Sequence, residues 1–258
     1  MKDRPLMPEQ YRVTALSELA LETHSMKVSG KMNSLPGQFV IVSLSGVGEC
    51  PLYIASHKGS NLEFVYRTDC SITKAMSRLS KGDRIGIRGP YGKGLPVKEM
   101  NRKDIYLIGQ DMGIAPLKHL VEHLKKAKVA RTISIYASFM KKDYVIASWI
   151  KEWEKDNPVI LSVRSADDGY LGRVGKPEDM LEGIRKDNSL AIVSVREASA
   201  IAETLLSLGL KEKQIYAAAH RTIVCGIGKC GHCLHNGRYI CKDGPFMRYD
   251  IYKELIRR

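Results

Sequence analysis

Apolar residues in the first hundred positions come in short runs rather than at helical spacing. Tyr11–Leu16, Gln38–Leu44, Leu52–Ser56 and Leu62–Arg67 are rich in Val, Ile, Tyr and Phe, and clusters such as Ser34-Leu-Pro-Gly37 and Lys58-Gly-Ser-Asn61 separate them. Such runs bounded by turn formers read as strands. Asp83–Arg88 alternates in polarity and reads as another strand, whereas Ile72–Leu79 reads as one short helix with Ser71 as its N-cap. Closely spaced strands with turns between them predict a small antiparallel barrel.

The pattern changes near residue 104. Strands are predicted at Ile105–Ile108, Thr132–Ser138, Val159–Val163, Leu190–Val195 and Ile215–Ala219, with helices at Pro116–Lys126, Val145–Glu154, Pro177–Ile184 and Ala198–Leu208. This alternation predicts a parallel sheet covered by helices on both faces. Three segments follow: a β-barrel over 1–100, an α/β domain over 101–220 and a cysteine-bearing segment over 221–258.

Bulk composition narrows the class. The chain has 258 residues, 44% hydrophobic, which suffices for two domains with their own cores. Its 41 basic residues exceed 28 acidic ones, a net charge of +13. Such a surface suits nucleic acid, an anionic membrane or an acidic protein. No long basic run is interleaved with aromatics, which disfavours nucleic acid. The basic residues Lys229, Arg238, Lys242, Arg248, Lys253, Arg257 and Arg258 gather in the last segment. Met1-Lys-Asp-Arg-Pro5 has no apolar stretch behind it, and no run approaches a membrane span. The expectation is a soluble, cytoplasmic protein without membrane insertion. Cys50 and Cys70 stand alone and read as buried thiols.

The chemistry lies in four other cysteines. Cys225-Gly-Ile-Gly-Lys-Cys230-Gly-His-Cys233, then Cys241, gives the spacing C-x4-C-x2-C-x7-C. The first three match plant-type [2Fe–2S] ligand spacing. The glycines let the backbone curl until its N–H groups face the sulfurs. A structural zinc site and two disulfides are the other readings. Structural zinc sites usually come as two C-x-x-C knuckles, and disulfides need an oxidising compartment. Cys225, Cys230, Cys233 and Cys241 are therefore the candidate ligands of a [2Fe–2S] cluster, and the protein moves electrons.

A barrel, an α/β domain and an iron–sulfur loop in that order resemble the ferredoxin–NADP reductase superfamily. Within it, the chain is similar to the [2Fe–2S] electron-transfer subunits of class 1B dihydroorotate dehydrogenases, soluble sulfhydrogenases and anaerobic sulfite reductases. The most specific stretch is Val224-Cys-Gly-Ile-Gly-Lys-Cys-Gly-His-Cys233, with Tyr239-Ile-Cys-Lys-Asp-Gly-Pro245 behind it. The resemblance implies FAD in the barrel, NAD(P)H in the α/β domain and a partner subunit that exchanges electrons with the cluster.

Residue by residue, the implied flavin site is partly kept. The family's R-x-Y-S or P-x-S segment is here Cys50-Pro-Leu-Tyr-Ile-Ala-Ser56, with Cys50 at the arginine position and Tyr53 at the serine position. Pro51, Leu52 and Tyr53 are the implied ring contacts. Y-R-x-x-G-x-x-T becomes Tyr66-Arg-Thr-Asp-Cys-Ser-Ile-Thr73, in which Cys70 replaces the glycine. Tyr66, Arg67 and Thr68 are implied flavin contacts, with Arg67 on a phosphate. Ser71, Ile72 and Thr73 would offer helix-start amides to the pyrophosphate. Gly89-Pro-Tyr-Gly92 keeps the family's G-P-x-G turn, which makes Gly89 a further contact.

The nicotinamide site is degraded. The family's G-G-x-G-x-A-P is here Gln110-Asp-Met-Gly-Ile-Ala-Pro116, with Asp111 where phosphate charge would sit. Its C-G-P is here Ser194-Val-Arg196, two bulky residues where small ones leave room. Poor reaction with NADH and NADPH is expected. His119-Leu-Val-Glu122-His123 matches an inverted zinc-peptidase motif, but without a third ligand it reads as a solvated helix face. The function expected is an electron-transfer subunit of a multisubunit oxidoreductase, passing electrons between FAD and a [2Fe–2S] cluster and on to or from a partner. The alternatives are a complete NAD(P)H-oxidising diaphorase module and a flavin-free scaffold that bears a cluster.

Overall fold

The computed structural model describes residues 6–166 and 170–256. Residues 1–5, and with them the N-terminal pentapeptide, lie outside the described residues, as do 167–169, Arg257 and Arg258.

Six strands close the barrel: β1 (Glu9–Ala20), β2 (Thr23–Ser29), β3 (Phe39–Leu44), β4 (Gly48–Lys58), β5 (Asn61–Arg67) and β6 (Arg84–Tyr91). They run in the order β1-β2-β5-β4-β3-β6, every pair antiparallel. Val13, Met26, Val28, Val40, Ile54, Phe64 and Ile85 fill the interior. β2 has no counterpart among the predicted strands. Its inward positions include Thr23 and Ser25, so the apolar alternation is broken. The Ser25 hydroxyl compensates for its burial by donating to Glu63 Oε1 at 2.6 Å.

Helix α1 (Ser71–Met76) is shorter than predicted, and its N-cap is Cys70 rather than Ser71. The Cys70 amide donates to the Thr73 hydroxyl at 3.2 Å, the return half of a capping box.

The second sheet has the order β10-β9-β8-β7-β11-β12-β15. Its parallel members are β7 (Asp104–Gln110), β8 (Thr132–Phe139), β9 (Val159–Val163), β10 (Arg173–Val174), β11 (Ser189–Ser194) and β12 (Ile215–Ala218). Helices α2 (Ile114–Ala127) and α3 (Ala147–Trp153) bury Leu117, Leu120, Leu124, Trp149 and Trp153 on one face. On the other, α4 (Ala198–Ser207) buries Ile201 and Leu205.

The helix predicted over Pro177–Ile184 is only a turn at Pro177–Met180. Leu181 leaves helical geometry at ψ 56°, and Gly183 follows at φ +72°. The cysteine segment holds a hairpin, β13 (Leu234–His235) and β14 (Arg238–Tyr239), and a turn of helix α5 (Ile240–Asp243). The chain then returns to the sheet as β15 (Phe246–Arg248), antiparallel to β12, and ends in α6 (Tyr249–Ile256). Tyr249, Tyr252 and Leu255 of α6 join the same core as α4.

Barrel and sheet meet across α2. Lys118 Nζ donates to Glu63 Oε2 of the barrel at 2.9 Å and to Glu122 Oε1 at 2.7 Å. Glu122 also accepts from the Ser56 hydroxyl of β4. The expected solvated face is thus a polar joint, and Glu122 is engaged as a counter-ion. His119 is buried beside His57, with ring centroids 6.3 Å apart. Burial first, then the neighbouring His57, pushes its pKa down to about 4.

Candidate functional site

Sequence order brings three separate stretches to one end of the barrel. Pro51, Leu52 and Tyr53 of β4 line a cleft of about 580 Å3 together with Phe39, Pro245 and the segment Ala219–Ile223. Tyr53 packs on Phe246 of the second sheet, with ring centroids 5.9 Å apart. The cleft is therefore walled by the barrel on one side and by the lead-in to the cysteine loop on the other. His220 and Arg221 stand in its wall; Arg221 supplies positive charge, whereas burial lowers the pKa of His220 and favours its neutral imidazole. No motif marks them, though two basic residues directly after an apolar strand were a usable signal.

The second group of expected flavin residues lies at the end of β5. The Tyr66 hydroxyl and the Nε and Nη2 of Arg67 are buried without hydrogen-bond partners. Orphaned donors of this kind are costly unless an acceptor fills the place. The Arg67 guanidinium stacks 4.0 Å above the Tyr144 ring and lies 3.6 Å from Asp111 Oδ1. Its donors fit a phosphate, and Asp111 competes for them. Thr68 is held by its amide to the Glu22 carbonyl at 2.9 Å.

Ser71 begins α1, Ile72 is buried, and the Thr73 hydroxyl is committed to Cys70. Cys50 adjoins Pro51 in sequence. Burial, then its neighbours Cys70, Asp69 and Glu49, push its thiol up to about 12. Cys50 is half-buried and Cys70 is exposed, so the expectation of two buried thiols fails for Cys70, whose position at the helix cap turns it outward.

Gly89, in β6 at φ +133°, lies behind Phe39, whose carbonyl a Cβ there would meet at 3.3 Å, and borders a separate groove of about 720 Å3 with Tyr11, Lys31 and Met32. The turn it starts is a platform for the cysteine loop. A Cβ on Gly92 would meet the Gly244 carbonyl at 2.6 Å, and one on Gly226 would meet the Tyr91 ring at 2.7 Å.

The cysteine loop is shaped by glycines at positive φ: Gly226 at +79°, Gly228 at +71° and Gly231 at +83°. These turns aim amides at sulfur. Ile227 and Lys229 donate to Cys225 Sγ at 3.5 and 3.4 Å, and Gly228 donates to Cys241 Sγ at 3.2 Å. Cys225 neighbours Cys230, and Cys241 neighbours both Cys233 and Cys225. Burial opposes ionisation of Cys225, but the amides of Lys229, Cys230 and Ile227 outweigh it and bring the thiol down to about 6. Burial and its neighbour Cys233 push Cys241 up to about 12.

Among the described residues, no three or more His, Cys, Asp or Glu side chains gather around one point as a single ion requires. Four neighbouring cysteines with backbone amides donating to Cys225 and Cys241 are the donor set that a [2Fe–2S] cluster would take.

The loop is also gripped from the barrel. Arg88 Nη1 donates to the Cys225 carbonyl at 2.7 Å and Nη2 to the Val224 carbonyl at 2.8 Å. The same guanidinium forms a fork with Glu49, with contacts of 3.3 and 2.6 Å. Arg88 carries little signal in the sequence: it is a cation that ends an alternating strand directly before Gly-Pro.

At the C-terminal end of the parallel sheet, Asp111 sits at φ +49°, a region that favours glycine. Its Oδ1 accepts the Met140 amide at 3.1 Å. A Cβ on Gly113 would meet the Ser194 carbonyl at 1.9 Å. Ser194 Oγ is buried and unpartnered there. Val195 does not fill the crevice as expected; its side chain belongs to the core beside Ala198 and Ile201. Arg196 is exposed.

Comparison with known proteins agrees with this arrangement. Residues 220–252 match the iron–sulfur cluster binding domain of dihydroorotate dehydrogenase B. The chain is 31% identical to the sulfhydrogenase 1 gamma subunit of Pyrococcus furiosus, over 93% of this chain and 88% of that one. It is equally 31% identical to a probable dihydroorotate dehydrogenase B (NAD(+)) electron transfer subunit of Pyrococcus horikoshii, over 92% and 88%. In fold it is similar to the NADH-dependent reduced ferredoxin–NADP oxidoreductase solved in connection with flavin-based electron bifurcation. That likeness has a TM-score of 0.79 at 24% identity, covering 96% of this chain and 92% of that one. The chain belongs to the family of redox subunits that includes the sulfhydrogenase gamma subunits and the electron-transfer subunits of dihydroorotate dehydrogenase B.

Proposed function

We propose that the chain is the electron-transfer subunit of a multisubunit oxidoreductase. FAD would bind through the Pro51–Tyr53 cleft and Arg67, and a [2Fe–2S] cluster through Cys225, Cys230, Cys233 and Cys241. The observation that carries this reading is the shared segment: Ala219–Ile223 walls the cleft and runs directly into Cys225. When bound, a flavin splits a two-electron exchange into single electrons that an iron–sulfur centre can carry. The chain's own part is to hold the two groups side by side. Arg67 and Tyr66 supply buried donors for phosphate, Tyr53 and Phe39 supply apolar walls, and the loop amides stabilise thiolate.

The partner would dock at the cysteine loop. Cys230, Lys229 and His232 are exposed, and Val224 and Leu234 present apolar surface beside them, at 45% exposure each. A surface of acidic or mixed charge carrying the next redox centre and the substrate site suits this face. No helix among the described residues is long and apolar enough to cross a membrane. Unpaired thiol ligands favour the cytoplasm as the setting.

A second reading, a complete NAD(P)H-oxidising diaphorase, is favoured by the orphaned Ser194 hydroxyl in the crevice at the end of β11. It is opposed by the Asp111 carboxylate. Anaerobic purification, with iron, acid-labile sulfide and released flavin measured per chain, tests the main reading. Two irons, two sulfides and one FAD are expected. Cys230→Ser should lose the visible absorbance and the reduced-state EPR signal. One zinc without sulfide would end the cluster assignment, and absence of flavin would leave only a cluster-bearing scaffold.

A further inference from the structure

Arg88 has a place that the proposed function does not require. Its side chain is only 5% exposed, yet its guanidinium points away from the barrel interior into the base of the cysteine loop. Both of its terminal nitrogens are used there, on the carbonyls of Val224 and Cys225. A buried cation is normally retained for a specific partner, because the desolvation it suffers must be offset by charge-assisted bonds. Here the compensating anion is Glu49, whose side chain is 41% exposed. Water screens Glu49 better than it screens Arg88, so the pair leaves net positive potential on the loop side.

The strand register explains what this grip accomplishes. Arg88 of β6 is paired with Ile41 of β3, and Ile41 is paired with Pro51 of β4. Arg88, Ile41 and Pro51 therefore form one row across the barrel wall. The row ends in the cleft at one side and in the cysteine loop at the other, about 10 Å apart across two strand spacings. Tyr91, three residues on, closes the contact from beneath through its ring against Gly226.

We infer that Arg88 is the positioning residue that ties the first cysteine ligand to the cleft wall and raises the reduction potential of the centre held by Cys225. The inference rests on the cluster reading above. Reduction adds one negative charge to a thiolate-ligated centre that is already anionic. A nearby buried cation favours that step, and a nearby carboxylate opposes it.

The test is a potentiometric titration of the anaerobically purified chain, followed by EPR, with iron and sulfide quantified in every variant. Arg88→Gln should lower the reduced-to-oxidised ratio at a fixed ambient potential about tenfold, which is about 59 mV for one electron. Arg88→Lys keeps the charge without the fork and should restore the ratio to within about threefold of wild type. Glu49→Gln removes the opposing charge and should raise the ratio about threefold. Opposite signs for the two glutamine variants are the signature, because loosening of the loop alone would move both the same way.

If Arg88→Gln does not retain iron, the Glu49→Gln shift decides. Wild type with a full cluster whose potential is unmoved, or moved downward, by Glu49→Gln overturns the inference. Wild type with neither iron nor sulfide overturns the cluster reading itself.

Discussion

Asp111→Asn isolates one charge without disturbing shape. The amide oxygen of asparagine can accept the Met140 N–H as Oδ1 now does at 3.1 Å, and asparagine tolerates the φ of +49°. What disappears is a carboxylate in the turn where a dinucleotide's phosphates would approach, together with its pairing to Arg67 at 3.6 Å. At about 5 Å, a like charge costs about 3 kcal/mol at an effective dielectric of 20 and about 1 kcal/mol in water. The two side chains are 20% and 19% exposed, so the site lies between these limits, and Arg67 cancels part of the repulsion. A net gain of about 1–2 kcal/mol follows, a roughly five- to thirtyfold tighter binding of NADH or NADPH.

The same change releases Arg67 toward a flavin phosphate, so FAD retention should rise rather than fall. Stopped-flow mixing of the anaerobic protein with each nucleotide reads the first effect through flavin bleaching. Equilibrium dialysis reads the second. Rapid bleaching of the wild type at micromolar nucleotide, unchanged in Asp111→Asn, would refute the electrostatic argument and promote the diaphorase reading.

Three further outcomes are expected. Arg67→Ala should cost FAD a charge-assisted contact of about 1.5–3 kcal/mol, seen as lower flavin content after purification; undiminished content would remove Arg67 from the site. His119 is buried and neutral, with its folded pKa near 4 against 6.5 when unfolded, so the unfolded chain binds the extra proton between these values. Stability should therefore fall as pH drops through that window, by up to about 3 kcal/mol, and His119→Leu should flatten the fall in urea midpoints between pH 7 and 4.5; an equally steep fall in the variant would show that other groups carry it. Lys229→Glu with Arg238→Glu should slow association with the partner subunit more than it speeds dissociation, as surface plasmon resonance at two salt concentrations would show.

The parts legible in the sequence are those with covalent or periodic signatures. Cysteine spacing is written in the chain, and the βαβ rhythm from Ile105 to Ala218 repeats often enough to survive errors at single boundaries. β2 was illegible because Thr23 and Ser25 are buried polar groups that break the apolar alternation, and the partner of Ser25, Glu63, lies far along the chain. β15 was illegible because three residues carry no period; only pairing with β12 defines them. The Pro177–Met180 turn shows local propensity losing to Leu181 and Gly183. In the candidate site, Pro51–Tyr53 and Tyr66–Arg67 were singled out through motif positions, whereas Arg88, His220 and the Arg67–Asp111 pair depend on contacts across the fold that no local pattern encodes.

The return of the chain as β15 has a consequence for how the protein matures. Ala218 pairs with Phe246, and the Ala219 amide donates to the Pro245 carbonyl at 2.8 Å, so the cysteine loop leaves and re-enters the sheet between adjacent strands. Its ends are clipped together by backbone pairing, so the entropy of closing the loop is met by the sheet rather than by the cofactor. Tyr249, Tyr252 and Leu255 then seal the last helix onto a core that also holds Cys233 and Cys241. Closure of the loop's ends thus needs no cofactor. An iron-free chain is expected to keep β12 and β15 protected from hydrogen exchange, because backbone pairing holds them without iron.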